Sequence, residues 1–105
     1  MLESQFQAQV IKELKQRFDG CIVMKLDSAY KQGIPDLLFL HDGFWATLEC
    51  KKTSVSAHRP NQKYWVNKMN EMSFSKFIYP ENKEVIFDEI QHAYEAQRDA
   101  RVFKR

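Results

Sequence analysis

Two carboxylates and a lysine stand at the ends of two neighbouring apolar segments. Asp36 precedes the run Leu37 to Leu40, whereas Glu49 and Lys51 come at the end of the run Phe44 to Leu48. Such short apolar runs are typical of buried strands, in which charged side chains are unexpected. Carboxylates are ligands that Mg²⁺ prefers, and a neighbouring ammonium group can stabilise developing negative charge. The residue types therefore indicate a site for a hard metal ion with a cation beside it.

The chain between the two runs predicts how these side chains meet. Asp42-Gly43 is typical of a two-residue hairpin turn, because glycine accepts the positive φ that the turn requires. With these loop residues, counting back along the strands places Asp36 opposite Glu49. Directly opposed side chains lie ~5 Å apart and like charges destabilise the pair, a conflict that a divalent cation would resolve. Lys51 shares the face of Glu49, since side-chain direction alternates along a strand.

The motif Pro35-Asp36, a hairpin and then Glu49-x-Lys51 resembles the PD-(D/E)XK nuclease superfamily. The segments GIPD, ending at Asp36, and LECK resemble its virus-type replication-repair branch (VRR-Nuc), which includes small phage proteins. Pro60-Asn61-Gln62 also fits that branch. The resemblance implies an α/β domain with a restriction-endonuclease-like core, in which helices flank a mixed central β-sheet. It further implies a Mg²⁺-dependent endonuclease that hydrolyses DNA phosphodiesters, with Mn²⁺ as a substitute.

Roles for individual residues follow from this resemblance. Asp36 and Glu49 would hold the metal together with the backbone carbonyl of Cys50. Lys51 would position the attacking water or stabilise the transition state. Glu3, three residues before Phe6 on the apolar face of the first helix, would be a third carboxylate, although a solvated glutamate at a frayed helix start is equally compatible. Gln62 would orient water or a phosphate, or else be a packed, hydrogen-bonded glutamine.

Candidate DNA contacts lie on both sides of the motif. From Lys51 to Lys68 the chain has five lysines and arginines and no acidic residue, which predicts a local anion-binding surface. Within it we expect phosphate contacts from Lys52, Arg59 and Lys63, with Lys52 on the strand face opposite Lys51. The loop 27–32 adds Tyr30 and Lys31, which ordinary loop polarity explains equally well.

Length and composition restrict the protein class. The chain of 105 residues has 44% hydrophobic residues and predicts a single domain, 1–105. It has no long apolar segment or signal peptide, so we expect a cytoplasmic protein without a membrane partner, in the host cytoplasm if it is phage-encoded. Cys21 and Cys50, both in apparent strands, predict buried free thiols rather than a disulfide or zinc site. A net charge of +2 means that any nucleic-acid footprint is local.

Periodicity and turn residues predict the remaining elements. A strand at Cys21–Leu26 should take an inner position beside the hairpin, because its run is apolar. Apart from the hairpin and this strand, the predicted elements are helices at Glu3–Phe18, Pro60–Met72 and about Lys83–Arg98, and a strand at Phe74–Tyr79.

Two alternatives to a DNA endonuclease stay open. A non-catalytic DNA-binding module would keep the basic segment without needing opposed carboxylates, and a metal-dependent RNase would use the same site. The substrate could be a junction, a flap, a nick or plain duplex in phage DNA replication, repair or recombination. A homodimer is expected from the symmetry of duplex DNA.

Overall fold

The computed structural model describes residues 1–103, which form three helices and one four-stranded mixed sheet. In chain order the elements are α1 (Glu3–Arg17), β1 (Ile22–Lys25), β2 (Leu37–His41), β3 (Phe44–Cys50), α2 (Pro60–Met72), β4 (Phe74–Ile78) and α3 (Lys83–Phe103). The strands lie in the order β1-β2-β3-β4, with the first two pairs antiparallel and β3–β4 parallel. The predicted α/β class is confirmed.

The apolar core lies between one face of the sheet and helices α1 and α3. Alternate residues of β3 point into it, including Ala46 and Leu48, because successive side chains of a strand face opposite sides. The helices supply a stripe at helical spacing: Phe6, Val10 and Leu14 from α1, and Ile86, Phe87 and Ile90 from α3. These side chains anchor both helices to the sheet that carries the charged motif.

Helix α2 covers the opposite face of the sheet. Thr47 lies between Ala46 and Leu48 and so points to this face. Its hydroxyl donates a 2.7 Å hydrogen bond to Ser75 of β4 and lies 3.4 Å from the sulfur of Met69 in α2. The unit β3-α2-β4 is thus a parallel strand pair joined by a helical crossover. Pro60 is the first residue of α2, as predicted, where its missing N–H costs no helical hydrogen bond.

The β2–β3 hairpin has the predicted register. His41 pairs with Phe44, Leu40 with Trp45, and Leu38 with Thr47. Asp42 and Gly43 form the turn with φ of 49° and 82°, the pair of positive values that a tight hairpin demands. The turn therefore determines which side chains of β2 and β3 share a face of the sheet, and this register extends to Asp36.

Three predictions about other elements need correction. The first strand pairs with β2 as expected, but it is an edge strand of four residues whose side chains are largely exposed. The predicted inner position of this strand was therefore wrong. An apolar run predicts a strand but does not indicate whether the strand has one neighbour or two. Cys21 precedes this strand instead of lying in it and is only partly buried, whereas Cys50 is buried; both cysteines are free, as predicted. The last helix runs beyond Arg98 to Phe103.

Within residues 1–103, no helix combines the length and the apolar character needed to span a membrane.

Candidate functional site

Asp36 and Glu49 oppose each other at the open end of the hairpin. The ladder pairs Leu37 with Leu48, so one further step places Asp36 against Glu49. Asp36 itself lies just before β2, yet its carbonyl still accepts a hydrogen bond from the amide of Leu26 at 2.8 Å. Its carboxylate also accepts a 2.9 Å hydrogen bond from the backbone N–H of Cys50. Backbone contacts on both sides thus hold Asp36 in place.

Glu3 completes a cluster of three carboxylates. One carboxylate oxygen from each of Glu3, Asp36 and Glu49 lies within 4.8 Å of the other two. Glu3 is exposed at the start of α1, whereas Glu49 is only 3% exposed. The cluster, which we call the acidic cluster, is a candidate cation site, but three nearby carboxylates do not by themselves establish that an ion binds.

Burial and mutual repulsion make the acidic cluster costly in its ionised form. Desolvation and then the neighbouring Asp36 raise the pKa of Glu49 to about 8. Desolvation also raises the pKa of Asp36, with a further contribution from Glu3, while the Cys50 hydrogen bond opposes the shift. At neutral pH, the cluster therefore holds a proton that a cation would compete with.

Cys50 contributes its backbone and not its thiol. The side chain is buried in the core on the face opposite Glu49, where desolvation and then Asp36 raise the pKa of the thiol. In an extended strand the N–H and C=O of one residue point to the same side. Because the Cys50 N–H points to Asp36, its carbonyl is directed to the side of the hairpin where the acidic cluster lies. This placement agrees with the predicted use of that carbonyl.

Lys51 lies against the acidic cluster in a largely buried position. It is 7% exposed, and its Nζ is 3.7 Å from Oε2 of Glu49. The ammonium also donates a 2.8 Å hydrogen bond to Oε1 of Gln62. Lys51 thus shares the face of Glu49, as the strand periodicity predicts.

Gln62 joins the lysine to the carboxylate from the first turn of α2. Its Oε1 accepts hydrogen bonds from Lys51 Nζ and from the backbone N–H of Arg59, and its Nε2 donates to Glu49 Oε2 at 2.9 Å. Only one orientation of the amide satisfies all three partners. Gln62 therefore lies in the site and is also hydrogen-bonded through both its oxygen and its nitrogen, so the two interpretations of this residue are compatible.

The acidic cluster, Lys51 and Gln62 line one side of a cleft of about 820 Å³. The opposite walls are formed by the loop between β1 and β2 and by the segment that leads into α2. Arg59, a predicted DNA contact, lies in this wall.

The other predicted DNA contacts lie outside the cleft lining. Lys52, Lys63 and Tyr30 are exposed near it. Lys31 is exposed but packs its ammonium over the ring of Trp65, 5.1 Å from the ring centroid. The structure therefore groups the predicted catalytic residues closely and leaves the predicted DNA contacts spread around the cleft.

Two contacts in the segments beside the cleft were not predicted. The ring of His58 stacks on Phe77, with centroids 3.9 Å apart, and Phe77 is the strand partner of Glu49. Gly33, at φ +89°, approaches Asn61 so closely that a Cβ would lie 2.5 Å from Asn61 Cβ. A lone histidine gives no sequence signal for such a stack, whereas the glycine before Ile34-Pro35 hinted at an unusual backbone.

Comparison with known proteins adds no relative to this geometry. No protein-family model and no curated protein matches the chain. The nuclease resemblance therefore rests on the motif residues and on their arrangement.

Proposed function

We propose that the protein is a Mg²⁺-dependent endonuclease that hydrolyses DNA phosphodiester bonds. The observation that carries the proposal is the acidic cluster with the Lys51 ammonium 3.7 Å from Glu49, in one open cleft. A structural ion pair would need one carboxylate for one lysine. Three carboxylates around a cleft are instead an oxygen donor set that suits a hard cation, and that cation could in turn bind a phosphate substrate.

The residues present fit a Mg²⁺ or Mn²⁺ ion. All the candidate donors are oxygens: the carboxylates of Asp36 and Glu49, the carbonyl of Cys50, and Glu3 as a third carboxylate. Desolvation and then the neighbouring Asp36 raise the pKa of Glu49, and the nearby Lys51 ammonium opposes the shift. When bound, the metal would acidify a coordinated water and neutralise charge on the phosphate.

Lys51 supplies a positive charge from the protein, in addition to the charge of the metal ion. Its hydrogen bond to Gln62 holds the ammonium at the rim of the acidic cluster, where negative charge would develop on the attacked phosphate. Gln62 fixes Lys51 and Glu49 at once, so the distance between them is set before substrate binds. Such preorganisation is worth most in a site that is partly shielded from water.

Substrate binding would fall to the basic residues around the cleft. Arg59 lies in the cleft wall, and Lys52 and Lys63 are exposed beside it. These side chains would contact phosphates on either side of the scissile bond, with a strong dependence on salt. We further propose a homodimer, because one domain of this size covers few base pairs and cuts one strand.

The fold supports assignment to the restriction-endonuclease-like class. A helix that supplies the first acidic residue, an antiparallel hairpin that carries the other two, and a β-α-β crossover follow in the order that the resemblance implies. The site lies at the end of the hairpin strands, where the sheet opens to solvent.

A nicking assay tests the proposal. Supercoiled plasmid incubated with the protein should be cut with Mg²⁺ or Mn²⁺ and remain intact with EDTA, and Asp36→Asn should abolish cutting. Parallel RNA and branched DNA substrates distinguish a ribonuclease and define the preferred structure. If DNA binds but no variant or metal gives cleavage of any substrate, the non-catalytic binding module is the better account.

A further inference from the structure

Helix α2 covers only about half of the sheet face on which it packs. Helix α2 lies over β3 and β4, where Met69 contacts Thr47. The register continues this face outward from Thr47 to Leu38 in β2 and then to Met24 in β1. Met24 is 46% exposed and Ile22, two residues earlier, is 54% exposed. An apolar surface on β1 and β2 therefore faces solvent beside α2.

One flank of α2 forms a wall beside this surface. Trp65, Lys68 and Met72 recur at a spacing of three and four residues and so share one flank of the helix. Lys31, from the loop that joins β1 to β2, packs over Trp65, which shows that this flank faces β1 and β2. Tyr64, 57% exposed, meets the Trp65 ring edge-on at 5.1 Å. We call the surface made by Met24, Leu38, Leu40 and Trp45, with Trp65 of α2 at its border, the open groove.

The open groove lies on the same side of the hairpin as the acidic cluster. Asp36, Leu38 and Leu40 alternate along β2 and so lie on one side of it, as do Glu49, Thr47 and Trp45 along β3. A chain lying in the groove would thus lie on the same side of the sheet as the candidate active site. Its floor is apolar, its wall is aromatic, and Lys31 and Lys68 supply positive charge at its border.

We propose that the open groove binds an unpaired nucleic-acid strand next to the bond that is cut. This inference rests on the proposed nuclease function and narrows its substrate to one with a single-stranded segment. Unpaired bases would stack on the aromatic and aliphatic side chains, and their phosphates would meet Lys31 and Lys68. Duplex DNA keeps its bases stacked inside and gains no base stacking from this surface.

Charge favours a nucleic acid over a second copy of the chain. In a twofold interface the same patch meets itself, so Lys31 and Lys68 of both subunits would be brought to one interface. Nucleic-acid phosphates instead neutralise these lysines and release counterions. The same phosphates are the groups on which the adjoining site would act.

Intrinsic fluorescence reports directly on the open groove, because Trp45 and Trp65 are the two tryptophans of the chain. Oligo-dT, oligo-U and a duplex of equal length, each about 12 nucleotides, are titrated in EDTA so that cleavage plays no part. We expect the single strands to quench the fluorescence and to bind at least about fivefold more tightly than the duplex. Equal binding of duplex and single strands, or binding without quenching, would overturn the proposal.

Variants localise the effect to the open groove. Trp65→Leu should weaken single-strand binding about tenfold, in line with losing one base-stacking side chain. Lys68→Gln, at an exposed position that should not perturb the fold, should lower the salt slope of log affinity by about 0.7. The matched control is Lys12→Gln, an exposed lysine on α1 on the other face of the sheet, which should bind like wild type.

The outcomes separate this inference from the nuclease proposal. Preferential single-strand binding without cleavage in Mg²⁺ would support the open groove and count against the nuclease. Cleavage with no preference for unpaired strands, and equal effects of Lys68→Gln and Lys12→Gln, would refute the groove alone. A dimer in light scattering that Met24→Glu dissociates, with single-strand binding unchanged, would reassign the groove to self-association and overturn the proposal.

Discussion

At the scale of single residues, Gln62 explains how a lysine can lie nearly buried beside the acidic cluster. The ammonium of Lys51 loses water on burial, and an unpaired buried charge is costly. Its contacts with Glu49 and Gln62 offset that cost. Because the Gln62 amide is also held by the N–H of Arg59, the start of α2 determines where the lysine lies.

Lys51 and the adjacent Lys52 should give opposite kinetic phenotypes. We expect Lys51→Ala to bind DNA nearly as well as wild type but to lose about a hundredfold or more in turnover, because it removes a charge used in the transition state. Lys52→Ala should weaken binding modestly and flatten its salt dependence, with turnover at saturating DNA almost unchanged. Single-turnover kinetics with matched binding titrations measure both. Similar small effects of the two variants on binding alone would contradict the assigned roles.

The raised pKa of Glu49 predicts that the metal-free protein loses stability as pH rises. In the unfolded chain a glutamate ionises near pH 4.3, whereas folded Glu49 has a pKa of about 8. Between these values the folded state holds a proton that the unfolded state has released. The free energy of unfolding should therefore fall from about pH 5 to pH 8, by at most about 1.4 kcal/mol per pH unit for this group, and level off above.

Urea unfolding in EDTA at several pH values tests this dependence. Glu49→Gln cannot ionise, so its unfolding free energy should rise relative to wild type as pH increases from 5 to 8. Glu71→Gln, which replaces an exposed carboxylate near the end of α2, is the matched control and should run parallel to wild type. Parallel curves for Glu49→Gln as well would show that Glu49 ionises normally in the folded protein.

At the scale of elements, the cleft depends on how closely the loop before β2 approaches α2. Gly33 and Gly20 both have positive φ, but only Gly33 is crowded, because its missing Cβ would clash with Asn61. Gly20→Ala should cost about 1 kcal/mol from backbone strain alone. Gly33→Ala should cost about 1–3 kcal/mol more, since the loop or the first turn of α2 must shift. Urea denaturation of both variants measures the difference, and equal losses would mean that the contact is not tight.

The sequence predicts those elements whose geometry is set locally. The Asp42-Gly43 turn determines the register of the hairpin, and hence the opposition of Asp36 and Glu49, within one short segment. Pro60 similarly marks the start of α2. The edge position of β1 was not predicted. It depends on whether another strand pairs with the far side of β1, and a local apolar pattern carries no information about such a neighbour.

The contacts that complete the site could not be predicted from local signals. The three hydrogen bonds of Gln62 require α2 to lie across the sheet with its first turn beside Glu49. The position of α2 is set by its packing on β3 and β4, and the residues next to Gln62 in the sequence do not reveal it. Spacing could place Glu3 on the buried side of α1, but only the docked helix brings it within 4.8 Å of the other carboxylates.

At the scale of the whole molecule, the site joins three parts of the chain that are far apart in sequence. Glu3 comes from the first turn of α1, Asp36 and Glu49 from the hairpin, and Gln62 from α2. Burial, followed by repulsion among the carboxylates, raises the pKa of Asp36 and of Glu49, so the ionised acidic cluster is costly where these parts meet. A cation in the cluster would therefore stabilise the contacts between elements and not only the site itself.

Divalent metal should accordingly raise the melting temperature of the protein. Binding only to the folded state at 100 times the dissociation constant adds about 2.7 kcal/mol to the unfolding free energy. Asp36→Asn should remove most of the melting shift produced by millimolar Mg²⁺ or Mn²⁺, whereas Glu3→Gln should reduce it less, because Glu3 is exposed. If Glu3 is a ligand, hydrogen exchange should also slow in the first turn of α1 when metal is added, and Glu3→Gln should abolish that slowing. A wild-type melting curve indifferent to millimolar metal, in clean two-state scans, would count decisively against the acidic cluster as a metal site.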